Sequence, residues 1–246
     1  MSASVSPTEA ALRALTPSQL SFLERLPKAE LHAHLNGSIP LALLQDLARE
    51  YTSTPDDEAS EESASVLATV QRLQSGATFN GIGEFFGLFP AIYALTSTPS
   101  SLKRATRAVL SHFLDPCLPS TSTSAASSVV YIELRTTPRE TPHMSRRVYL
   151  ETVLDEIEVR SPDAAALIVS LDRRMTPDVA REVLELAVQL RREGRRVVGV
   201  DLCGDPTVRS IYLFFLLWRG PKRLSINKSA QCEPSPSPFF FFLDNS

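Results

Sequence analysis

Two histidines stand two residues apart in LPKAELHAHLNGSIP, residues 26–40, a stretch otherwise rich in apolar residues. On a strand, residues i and i+2 point to the same side, about 6.6 Å apart. His32 and His34 can therefore close on one metal ion while Ala33 faces the other way. Imidazole nitrogens suit zinc, which lowers the pKa of a bound water to about 7 and so supplies hydroxide at neutral pH. A lone His-x-His also has a plain reading, as two rings satisfied by core hydrogen bonds or exposed on a sheet edge. The other histidines, His112 on a helical face and His143 in the loop TPHMS, read as structural or surface residues.

Such a pair needs a rigid strand to carry it, and the hydrophobic period switches repeatedly between 2 and 3.6 along the chain. KAELHAHL (28–35), VVYIELR (129–135), AALIVSLD (165–172) and VVGVDLC (197–203) read as strands. Thr16-Pro17-Ser18-Gln19 starts a short helix, with a capping Thr, Pro at the first helical position and Gln three residues after the cap. Helical patterns follow at about 40–51 and 80–95, and Leu102, Ala105, Val109 and Phe113 form another apolar face. Ser145 caps a helix with face Leu150, Val153, Leu154 and Ile157. Thr176-Pro177 opens one with face Val179, Val183, Leu186 and Leu190, stopped by Gly194. The acidic TSTPDDEASEESAS (52–65) and the small-residue LPSTSTSAASS (118–128) are predicted loops.

Nearly continuous apolar strands alternating with helices predict a parallel sheet buried on both faces, hence α/β architecture, either doubly wound or part of a barrel. Polar groups gather at the C-terminal strand ends: His32 and His34, Arg135-Thr136-Thr137, Asp172-Arg173 and Gly204-Asp205. Both folds place active sites there. No G-x-G-x-x-G follows a strand, which weakens a dinucleotide reading.

Composition narrows the partners. The 246 residues carry a net charge of −3 with no basic stripe, so a nucleic-acid polymer is not expected. The longest apolar run, 211–218, is far short of the roughly 20 residues that cross a bilayer, so no membrane span is expected. Cys117, Cys203 and Cys232 make no disulfide framework and the N-terminus lacks a signal pattern, so a cytoplasmic protein is expected.

Taken whole, LPKAELHAHLNGS resembles the opening motif of the adenosine and AMP deaminase family, zinc enzymes on a (β/α)8 barrel. The resemblance is closest to the adenosine deaminase-like branch that acts on N(6)-methyl-AMP. FGLFPAIYALTSTPSSL, YIELRTTPRE, SLDRR and VVGVDLCGDPTV look like later segments of that branch. The likeness runs from about Leu26 to Val208, with unmatched loops at 52–75 and 118–128. It implies that His32 and His34 are zinc ligands, with His34 also near the nucleotide. Asn36, standing where adenosine deaminases proper usually carry Asp, would touch the substrate. Tyr93 occupies a position where relatives often have His. Thr136, Thr137, Pro138 and Arg139 would form the loop that receives phosphate and ribose, while Asp172 and Gly204 would line the pocket. One Zn2+ is the implied cofactor, a small purine nucleotide or nucleoside the implied partner, and a monomer the expected state of the complete barrel.

The implied reaction is hydrolytic: water activated at zinc adds to C6 of the purine, and a Glu donates a proton to the ring. That needs a third His ligand, the Glu three residues beyond it, a late Asp ligand and an assisting His and Asp. After His143 the chain has no histidine, and the likeness stops beyond Val208. The fold class expected is therefore a (β/α)8 barrel of the metal-dependent hydrolase type with about its first half present. Residues 1–208 would form the N-terminal part of that barrel. Residues 209–246, with four consecutive phenylalanines at 239–242, would be a tail foreign to it, such as a read-through intron or a wrong gene model. The first and fourth strands would then be bare edges, which together with the Phe run predict aggregation. The function expected is zinc-dependent deamination of N(6)-methyl-AMP to IMP, or of adenosine to inosine, in purine metabolism. This chain by itself is expected to be inactive. The alternatives are a non-catalytic fragment or a different His-x-His amidohydrolase; the cytidine-type deaminases are set aside because DPCLPS offers one cysteine where they need Pro-Cys-x-x-Cys.

Overall fold

The computed structural model describes residues 7–52, 61–75, 84, 86–115, 129–204 and 240–242. Four parallel strands lie side by side in chain order: β1 (Lys28–His34), β2 (Val129–Thr136), β3 (Ala165–Asp172) and β4 (Val197–Cys203). A doubly wound sheet reverses its strand order at a switch point, whereas a barrel adds each strand beyond the last. The unbroken order decides for the barrel.

Two short helices, α1 (Pro7–Arg13) and α2 (Pro17–Arg25), precede β1. Thr16 and Gln19 close the expected capping box on α2. Helix α3 (Leu41–Thr52) follows β1, then α4 (Glu61–Gln74), α5 (Phe89–Leu95) and α6 (Pro99–Leu114) lead to β2. Helix α7 (Arg146–Glu158) joins β2 to β3, and α8 (Pro177–Arg192) joins β3 to β4. Thr98, Ser145 and Thr176 cap α6, α7 and α8, each side-chain oxygen accepting a backbone N–H of the first turn. Behind α8, Gly194 takes φ +83, the left-handed conformation that lets a helix stop. Every strand residue of β3 but Asp172 is buried, as a central parallel strand covered on both faces requires. Its layer continues into Leu150, Val153 and Leu154 of α7 and Val183 and Leu190 of α8.

Two expectations change. Residues 61–65, the end of the acidic segment taken as loop, are the first turn of α4. Val66 and Val70 sit at i and i+4 and are buried, so the apolar face pulls the polar turn before it into the helix. The fourth strand is also not a bare edge: Phe240–Phe242 form β5, antiparallel to β4 with Gly199 opposite Phe242. The free N–H and C=O groups of a strand edge accept any extended segment of the same chain. Among the described residues the sheet ends at β1 on the other side. The loop 118–128, Asp205, Cys117, Cys232 and 209–239 lie outside the described residues. No helix among those described is long and apolar enough to cross a membrane.

Candidate functional site

At the end of β1 the chain turns through a 3-10 turn, Leu35–Gly37, anchored by a wholly buried Leu35. That turn sets Asn36 beside the two imidazoles at the C-terminal mouth of the sheet. His32 Nε2 and His34 Nε2 are 3.2 Å apart, and Ala33 between them is buried on the opposite face. Tetrahedral zinc with Zn–N bonds of about 2.0–2.1 Å spaces two nitrogen ligands about 3.3–3.4 Å apart, so the pair fits one ion. Burial, and next the Arg135 charge, lowers the His32 pKa from its ordinary 6.5. Burial is likewise the main cause at His34, with His32 and Arg135 lowering it further against the raising effect of Asp201. Both rings are thus held neutral, the form that ligates metal. Among the described residues no cluster of three or more His, Cys, Asp or Glu completes a metal site.

A ring whose folded pKa lies below its unfolded value takes up fewer protons folded than unfolded near that value. The stability this contributes is present above pH 6.5 and is lost as pH falls through the folded pKa values. Urea midpoints measured from pH 7.5 down to 5 should therefore fall, and His34→Asn should flatten that limb; an unchanged slope would contradict the burial of the ring.

Beneath the imidazoles, Arg135 of β2 reaches across to Asp201 of β4 at 2.5 Å, both side chains almost fully buried. The other side of the same guanidinium donates to the Leu31 carbonyl of β1 at 2.7 and 3.3 Å. Asp201 Oδ1 is buried without a hydrogen-bond partner beside the histidines.

These groups open on a cavity of about 480 Å³, within the range of small-molecule sites. It gathers His32, His34, Asn36, Tyr93, Thr136, Thr137, Asp172 and Gly204 from the sequence-derived set. Pro138 and Arg139 do not line it. Pro138 is buried, and the Arg139 guanidinium lies 3.5 Å over the Tyr93 ring, a cation–π contact that stiffens the wall from behind. Burial pushes the Tyr93 hydroxyl up to about 12, so it stays protonated.

Deeper polar groups form a chain. The Asn36 amide donates to Thr96 Oγ1 at 3.4 Å, and Thr96 donates on to the Ile92 carbonyl. The Tyr149 hydroxyl donates to Asn36 Oδ1 at 3.4 Å and lies 2.8 Å from Thr136 Oγ1. On the opposite wall Asp172 accepts from the Arg174 backbone and from two guanidinium nitrogens at 2.9 and 3.0 Å. Gly204, at φ +94, packs against that carboxylate. Thr137 Oγ1 lies 3.3 Å from Cys203 Sγ, whose thiol burial pushes up to about 12 and so keeps unreactive. His112 and His143 lie on exposed surface, away from the cavity.

Sequence reasoning noted Arg135 as a strand-end polar group without a role, and passed over Asp201, Cys203, Phe86 and Phe89. The signal for Arg135 and Asp201 was available: a charge carried within a largely apolar strand demands a buried partner.

The adenosine deaminase family model matches residues 27–216. An N6-mAMP deaminase of Arabidopsis thaliana is 31% identical, over 89% of this chain and 63% of its own length. The N6-methyl-AMP deaminase of Homo sapiens is 32% identical, over 78% of this chain and 50% of its own. An Arabidopsis relative crystallised with IMP superposes with a TM-score of 0.63 at 33% identity, covering 80% of this chain and 56% of that one. The chain thus spans about half the length of the curated relatives it matches.

Proposed function

The chain belongs to the adenosine deaminase family, and on that premise we propose that its cavity is the purine-nucleotide half of a zinc-dependent hydrolytic deaminase site. The observation that carries this reading is the pair of imidazoles, with Nε2 atoms 3.2 Å apart, at a cavity that also holds Asn36, Thr136 and Asp172. His32 and His34 would hold one zinc ion. Zinc bound there supplies an acidified water for attack at neutral pH. The balanced reaction takes N(6)-methyl-AMP and water to IMP and methylamine: a C6–O bond forms and the C6–N bond breaks.

The chain's own residues would bind and orient. Asn36 spends one N–H on Thr96 and keeps the other for a ligand acceptor. Thr136 and Thr137 offer hydroxyls at the mouth of β2, and the Arg139 charge behind Tyr93 favours an anionic group in this corner. Gly204 lets its backbone approach a flat base, since no Cβ intervenes. Relatives named for N6-methyl-AMP, and one crystallised with IMP, support a purine monophosphate as the ligand.

With no histidine after His143, this chain alone is expected to bind IMP and a loosely held zinc ion but to turn over no N(6)-methyl-AMP. The test is calorimetric titration with IMP alongside a methylamine-release assay in zinc-containing buffer. Binding without turnover, with His34→Ala lowering zinc content, supports the reading. Absence of IMP binding removes it, and zinc-dependent turnover abolished by His34→Ala overturns the expectation that this chain is inactive.

A further inference from the structure

Leu31 and His32 have no register partner on β2, although β1 pairs with β2 on either side of the peptide that joins them. Glu30 pairs with Ile132 and Ala33 with Leu134, so three steps on β1 oppose two on β2, the signature of a bulge carrying one extra residue. Both polar groups of that peptide are satisfied by side chains instead. The Leu31 carbonyl accepts from Arg135 Nη2 at 2.7 Å and Nε at 3.3 Å. The His32 N–H donates to Glu30 Oε1 at 2.9 Å. Arg135 is itself tethered on its other side to Asp201 of β4, 2.5 Å away. Bulges bend a strand and re-aim the side chain they carry, and this one precedes the ring whose Nε2 must meet His34 Nε2.

We infer that Arg135, held by Asp201, is a positioning residue that pins the bulged Leu31–His32 peptide and thereby aims His32 at His34. A planar fork can serve a carbonyl on one side and a carboxylate on the other, while an ammonium is a point donor on a flexible stem and cannot span both. The geometry makes the metal pair a property of three strands rather than of the His-x-His motif alone. The inference rests on the zinc reading above only for its functional meaning, since the ring-to-ring geometry exists without metal.

The experiment uses the whole 246-residue chain with Arg135→Met and Asp201→Leu combined, so that no charge is left buried and the fold is retained. Two quantities are read: the inter-ring nuclear Overhauser effect between His32 and His34, and zinc affinity in competition with a chromophoric chelator. Loss of the inter-ring signal in a folded double variant, with zinc affinity falling 10- to 100-fold, is the expected result; a shell residue that only shaped the fold would leave both intact. Retention of the signal and the affinity overturns the inference, as does absence of the signal in the unsubstituted chain. If the unsubstituted chain binds no zinc, the zinc reading falls and the inter-ring signal alone decides the inference. Should the double variant fail to fold, Arg135→Lys is read the same way and is expected to lose the inter-ring signal while keeping the charge beside Asp201.

Discussion

Asp201→Ala destabilises the chain by about 3–5 kcal/mol in urea denaturation at neutral pH, the cost of leaving one partner of a buried ion pair uncompensated. Arg135 is 2% exposed and Asp201 1%, so the guanidinium left behind stays largely out of water at the floor of the cavity. It also has no route to neutrality, because Arg stays protonated in proteins. The Leu31 carbonyl satisfies part of its fork but not its charge. Surface pairs behave differently: Arg181 and Asp178 are 53% and 90% exposed, and Arg181→Ala should change stability by no more than about 1 kcal/mol. Equal small losses at both sites would mean that water enters beneath the histidines and that the pair is not sealed.

Gly204→Ala is expected to be the costliest single-methyl addition in the site. At φ +94 a side chain pays roughly 1–2 kcal/mol for left-handed backbone. The added Cβ would also lie 2.9 Å from Asp172 Oδ1 and 3.1 Å from Oδ2. Asp172 cannot simply swing away, because Arg174 grips both oxygens and the Arg174 amide holds one of them. Overpacking of this kind costs about a further 1–3 kcal/mol. Urea denaturation should thus show a total loss of about 2–5 kcal/mol, with weaker IMP binding on the proposed reading because a wall of the cavity has moved. A loss below about 0.5 kcal/mol would place Gly204 among freely substitutable surface positions. Gly194, also at positive φ but with nothing within 4 Å of its Cβ position, should show only the backbone part when changed to Ala.

Much of the scaffold was legible because its signals are local. Each helix start that the sequence marked, at Thr16, Ser145 and Thr176, carries its side-chain cap in the structure. The strands read from the sequence all form: β3, buried on both faces, has no other composition open to it, whereas β1 is largely exposed and forms beside β2 all the same. The start of α4 was misread because acidic residues in a first turn look like loop until the Val66–Val70 face behind them is weighed. The pairing of β5 with β4 could not be read at all, because a free strand edge is specified by backbone groups and any extended segment meets them.

By itself, then, the sequence determined that the chain alternates strand and helix, that its polar residues fall at C-terminal strand ends, and that His32 and His34 share a face. Periodicity and capping are short-range, so these follow from neighbours in the chain. Only the tertiary structure decided that the strands run in barrel order, that Arg135 bridges Leu31 and Asp201, and that Arg139 stands behind Tyr93 rather than in the cavity. Those facts join residues separated by 104, 66 and 46 positions of sequence. Contacts at such range arise when helices of particular length and packing bring strand ends together, and no local pattern encodes which side chains then meet.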